Sequence, residues 1–138
     1  MSTLADVSQA IKELNEKFPR PGISLAVSHI YDLRTSFASS YPNVLQPGIY
    51  IMMDSQGTVL RIGTASGGRT LGDRLGDYFK WGDRAVGSGI AINSEYGGVC
   101  FVVTIGLPKD RAFEVPAIEE YLLSRVCLLY TSPSPRDS

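Results

Sequence analysis

Apolar residues at Leu4, Val7, Ile11, Leu14 and Phe18 recur every three or four positions. This spacing predicts an amphipathic helix over residues 3–18, ended by Pro19 and Pro21. Residues 22–46 carry a mixed signal: Ile23, Leu25 and Val27 alternate as in a strand, whereas Ile30, Leu33 and Phe37 suit a second helix. The clearest pattern lies at 48–63. Two apolar runs flank Asp54-Ser55-Gln56-Gly57, a loop ending in Gly as hairpin turns prefer. If Met53 pairs with Thr58, Tyr50 falls opposite Arg61, and opposed residues share a face. Ile49, Ile51, Leu60 and Ile62 then form the other, apolar face, which fixes the register because a one-residue slip would expose all four. Tyr50 and Arg61 are expected side by side on the more open face.

Further along, Thr70-x-x-Asp73 reads as the capped start of a helix in which Leu71, Leu75 and Phe79 turn toward the sheet. Arg74 and Tyr78 are four apart and line the border of that stripe. The Gly-rich run 82–98 reads as loop, and Val99 to Leu107 as a buried strand. Pro116 suits the first turn of a closing helix. There Ile118, Leu122, Leu123 and Val126 share an apolar face. Glu119 falls within that arc, while Glu120 points away. A buried ionised carboxylate costs several kcal/mol unless it is paired or bound to a metal, so Glu119 needs a compensating cation, from an arginine or a metal ion.

The chain has 138 residues, enough for one domain. A formal net charge of −1 argues against a protein that coats nucleic acid through bulk positive charge. Any such contact must rest on a local patch. Between Asp54 and Arg84, the cations Arg61, Arg69, Arg74, Lys80 and Arg84 stand against Asp54, Asp73, Asp77 and Asp83, a weak positive bias. No apolar run has the length of a membrane span, and the start MSTLADVSQ lacks the regions of a secretory signal, so a cytoplasmic protein is expected. Cys100 and Cys127 form neither a disulfide framework nor a metal-ligand spacing. The segment CLLYTSPSPRDS resembles the translation of a transposase sequencing adapter. Residues 127–138 are therefore read as an artefactual tail, 47–126 as the main domain and 1–46 as an N-terminal extension packed on it.

Singly, Tyr50, Arg61, Arg74 and Tyr78 have ordinary structural explanations. Together they place phenols and guanidinium groups at one end of the hairpin, with a helical carboxylate downstream. The order GIY (48–50), ten residues, RIG (61–63), ten residues, Arg74, three residues, Tyr78, and a later helix with Glu114 and Glu119 in E-x4-E-x2-L-L resembles the GIY-YIG nuclease superfamily. The resemblance covers residues 47–126. It implies an α+β fold with a small three-stranded antiparallel sheet flanked by helices, here with a mainly helical N-terminal extension.

By the same resemblance, Tyr50 corresponds to the tyrosine that helps activate water and Arg74 to the arginine on the scissile phosphate. Tyr78 stands where other members have a polar aromatic, often His, and Glu119 is the single metal-binding carboxylate. The implied activity is a DNA endonuclease that uses Mg²⁺, or another divalent cation such as Mn²⁺, and makes a single-strand cut with 3′-hydroxyl and 5′-phosphate ends. Mg²⁺ tolerates one protein carboxylate while keeping several waters. Candidate DNA contacts are Arg61, Arg69, Arg74 and Lys80.

Two features depart from the pattern. Arg61 replaces the family's second tyrosine. It cannot act as a base, but it can bind a phosphate oxygen and is expected to lower the pKa of Tyr50. The family's polar residue after the catalytic helix, commonly Asn, has no counterpart before Cys127. The competing function is a catalytically weak nucleic-acid-binding module on the same scaffold, which Arg61 and the charge balance favour. His29 and Cys100 read as structural, and Phe79 and Trp81 as packing residues able to stack on a base.

Overall fold

The computed structural model describes residues 2–126; the segment read as an adapter tail lies outside the described residues. The first helix, α1 (Leu4–Lys17), forms as its spacing predicts. The Thr3 backbone N–H donates to the Asp6 carboxylate (2.8 Å), and Val7, Ala10, Ile11 and Leu14 are buried.

The fold is α+β, built on an antiparallel four-stranded sheet in the order β1-β6-β2-β3. The strands are β1 (Tyr31–Asp32), β2 (Gly48–Met53), β3 (Val59–Ala65) and β6 (Phe101–Gly106). A separate ribbon pairs β4 (Phe79–Trp81) with β5 (Gly89–Ala91). The expected three strands thus become four, because β1 adds to the outer edge of β6. The second N-terminal helix expected around Ile30 and Leu33 does not form: that stretch supplies β1, and Ile30 is exposed.

Nor do Ile23, Leu25 and Val27 enter the sheet. Instead, the Asn15 side-chain amide brackets Leu25, its Nδ2 donating to the Leu25 carbonyl (2.8 Å) while Oδ1 accepts from the Leu25 N–H (3.1 Å). This arrangement satisfies the backbone groups that a neighbouring strand would otherwise pair.

The two sheet faces carry separate cores. Ile49, Ile51, Met53, Ile62, Val103 and Ile105 face α1 and the closing helix α3 (Val115–Leu123). Tyr50, Met52, Leu60, Ala65 and Val102 face Leu33, the short helix α2 (Leu71–Gly76) and Phe79. The expected open face is therefore covered, and Tyr50 is fully buried.

The hairpin register also differs from expectation. The Asp54 carboxylate accepts from the backbone N–H of both Gln56 and Thr58 (2.9 Å each), the Asp54 N–H donates to the Thr58 carbonyl, and Gly57 takes the left-handed conformation at φ 80°. Met53 thereby pairs with Val59, one residue beyond the expected partner of the strand. A bulge then skips Leu60, so Met52 pairs with Arg61 and Tyr50 with Gly63. The two offsets add to an even number, which keeps Arg61 on Tyr50's face while turning Leu60 to that side.

Candidate functional site

The site forms where β2, β3 and α2 meet. Tyr50 lies on the central strand between Gly63 on β3 and Thr104 on β6. Gly63 makes this possible, because a Cβ added there would come within 2.1 Å of both Cζ and Oη of Tyr50. The phenol crosses the space above Gly63 and donates its hydroxyl to Tyr78 Oη (2.9 Å).

Tyr78 follows α2 directly. That helix starts on a reciprocal cap: Asp73 N–H donates to Thr70 Oγ1 (3.1 Å) and Thr70 N–H to the Asp73 carboxylate (3.0 Å). Leu71 and Leu75 anchor it to the sheet, and it ends at Gly76. Phe79, expected in this helix, instead begins β4. Arg74 projects from α2 along β3, with Nε donating to the Thr64 carbonyl (3.2 Å) and Nη2 to Tyr78 Oη (3.4 Å). The Tyr78 oxygen therefore accepts from a phenol and a guanidinium, leaving its own O–H to donate elsewhere.

Arg61 completes the group. Its guanidinium carbon lies 5.8 Å from the centre of the Tyr78 ring and 5.5 Å from that of Tyr96. The two rings meet edge to face at 5.2 Å. Arg61 Nε is buried and donates to no acceptor, and Arg61 forms no ion pair among the described residues. The carboxylate paired with Arg74 is Asp77, at 3.8 Å. Two cations thus share a cluster of three phenols with little neutralising charge.

Burial pushes the Tyr50 phenol up to about 12, with the hydrogen bond to Tyr78 acting in the same direction. The nearby Arg61 acts in the opposite, expected sense, but desolvation outweighs it. Tyr50 is consequently a neutral phenol at ordinary pH.

Tyr96 has no place in the sequence reading. It stands in the run 82–98 that reads as loop, which in fact contains β5 and a 3₁₀ turn at Ser94–Tyr96. The Asn93 side chain caps that turn, accepting from Glu95 N–H (3.0 Å). Asn93 ahead of a short polar segment is a local turn signal, but nothing in it points toward Arg61, 35 positions earlier in the numbering. The ribbon is tied to the site where Ile92 N–H donates to the Tyr78 carbonyl (2.7 Å).

The other candidates are placed as follows. Arg69 Nη2 donates to the Asp77 carboxylate (2.8 Å) at the surface. Lys80 is exposed on β4, paired with Ile90. Trp81 packs edge to face on Phe37, with Arg84 over its ring at 4.6 Å. His29 is exposed and Cys100 half-buried at the start of β6. Glu114 is clamped by Arg20 and Arg111. Glu119 is half-buried on α3, whose neighbours Ile118 and Leu122 are fully buried. Helix α3 packs on the face opposite Tyr50, and both α2 and α3 border the outer strand β3.

Among the described residues no cluster of three or more His, Cys, Asp or Glu could hold a metal ion. A hydrated Mg²⁺ held by one carboxylate and substrate oxygens needs no such cluster. No helix among the described residues is long and apolar enough to cross a membrane. No family model matches the chain, and comparison with curated proteins and with solved structures returns no significant match.

Proposed function

We propose that the chain is a metal-dependent endonuclease that hydrolyses DNA phosphodiester bonds, with a GIY-YIG-like catalytic centre. The observation carrying this reading is the cluster itself: Arg61 and Arg74 lie beside Tyr50 and Tyr78, with Tyr50, Arg74 and Tyr78 in the spacing of the superfamily pattern and Arg61 where that pattern has its second tyrosine. Arg74 and Arg61 bind the oxygens of the scissile phosphate, where paired guanidinium donors offset charge that grows during displacement. Tyr78 donates its remaining proton toward the substrate, and Tyr50 orients it through the shared hydrogen bond. Glu119 would hold Mg²⁺ or Mn²⁺, which would supply a Lewis acid for a phosphoryl oxygen and for the charge on the leaving oxygen.

The test is nicking of supercoiled plasmid with Mg²⁺ and then with EDTA. Nicking that requires metal and disappears in Glu119→Ala supports the enzyme. Metal-dependent nicking that survives Glu119→Ala removes the assigned ligand.

A second reading, a DNA-binding module with little or no cleavage, draws on the neutrality of Tyr50 and the placement of α3 on the other sheet face. It predicts a gel shift with plasmid left intact under both conditions.

A further inference from the structure

The Nε–H of Arg61 poses a physical problem that hydrogen bonding does not solve. A buried donor without an acceptor is destabilising, and native proteins retain few of them. The cation lies over two aromatic rings: Tyr78 at 5.8 Å and Tyr96 at 5.5 Å both lie within the range at which a ring quadrupole attracts a guanidinium. A carboxylate in the same place would hold the side chain as firmly but would neutralise its charge and occupy its donors. Ring faces leave the charge available to an incoming anion. Tyr96 is itself held, set edge to face against Tyr78 and carried by a capped turn at the end of the β4–β5 ribbon.

We propose that Tyr96 is a positioning residue: with Tyr78 it forms an aromatic clamp that holds Arg61 unneutralised for an oxyanion of the DNA backbone. The inference rests on the phosphodiester reading above and extends it to a residue outside the motif. It also accounts for Arg61 where a tyrosine is expected, since a cation at that position needs a support that adds no negative charge.

The probe is inorganic phosphate, titrated into the full chain while the Arg61 Nε–H resonance is followed by NMR. In the wild type this proton should lie upfield through ring currents, exchange slowly with water, and shift saturably with phosphate. Tyr96→Leu should return it toward the position of a solvated arginine and weaken phosphate binding by about threefold or more, whereas Tyr96→Phe should preserve both properties. An unchanged resonance and affinity in Tyr96→Leu would overturn the proposal. So would a wild-type Arg61 that shows no upfield shift or no response to phosphate, which decides the matter even if Tyr96→Leu fails to fold. Plasmid nicking on the same samples separates the two readings. A clamp-dependent phosphate response without nicking rejects the nuclease and keeps the clamp. Nicking with a phosphate response indifferent to Tyr96→Leu does the reverse.

Discussion

Tyr50 and Gly63 are cross-strand partners, and the missing side chain of Gly63 is the space that the Tyr50 phenol occupies. The glycine of the RIG triplet is thus a steric requirement of the tyrosine in the GIY triplet. Its backbone does not need a left-handed conformation. Gly63→Ala should destabilise the fold by about 1–3 kcal/mol, the usual range for overpacking a filled core. Because the methyl and the ring compete for one volume, Tyr50→Ala should recover part of that loss when combined with Gly63→Ala. Urea unfolding of the two single variants and the double variant measures the coupling, and simple additivity would contradict the contact.

Alkaline pH should weaken the fold through Tyr50. Its pKa is raised from 10 to about 12, chiefly by burial. Below pH 10 the phenol is neutral in both folded and unfolded chains, so its contribution is fully present. Above pH 10 the unfolded chain loses the proton first, and stability falls until the folded phenol also ionises. Burial raises Tyr31 and Tyr41 as well, so they act in the same window. Thermal melts should show Tm falling beyond pH 10, less steeply in Tyr50→Phe. Equal slopes in both proteins would refute the assignment.

The cap on α2 should matter for activity beyond its share of stability. Thr70→Ala removes the acceptor for Asp73 N–H and should cost about 1 kcal/mol. Since α2 aims Arg74, looseness there should lower the nicking rate below what the unfolded fraction accounts for. Rates measured well under Tm, compared with Thr70→Ser, check this; a rate that merely follows the folded fraction argues against it.

Arg74 is expected to contact phosphate, so Arg74→Ala should reduce the salt slope of DNA binding by about one unit in log–log form. Arg74→Lys should keep the slope while weakening binding, because one ammonium cannot reproduce the hydrogen bonds of Arg74 to both Thr64 and Tyr78. Fluorescence anisotropy across a range of salt gives both quantities. An unaltered slope in Arg74→Ala would place this residue off the DNA.

Much of the fold is legible in the chain where its causes are local. The spacing of Val7, Ile11 and Leu14 is enough for α1. Thr70 and Asp73 mark the start of α2, and the β-branched run after Val99 marks the inner strand β6. The hairpin exists where expected, but its register depends on the Asp54 side chain and a bulge at Leu60, two one-residue effects that alternation alone cannot resolve. The ribbon β4–β5 is invisible to periodicity because its strands are only three residues long, too short for an alternation to register.

Among candidate site residues, Tyr50, Arg61, Arg74 and Tyr78 can be chosen from spacing, since they sit on consecutive elements joined by short connections. Their surroundings cannot be chosen that way. Tyr50 becomes buried because α2 folds back over its face. Tyr96 reaches Arg61 only because the ribbon returns the chain to Tyr78.

The amino-acid order alone determined α1, the start of α2, the hairpin, the strand after Val99 and the closing helix, because periodicity, caps and turns act over a few residues; the α+β class was implied by the family resemblance. Tertiary structure decided which face of the sheet is covered, how strongly Tyr50 resists ionisation, and which third ring grips Arg61. It also put Glu119 on the helix across the sheet. Those outcomes depend on desolvation and on contacts between segments far apart in the chain, which exist only once the layers have closed on one another.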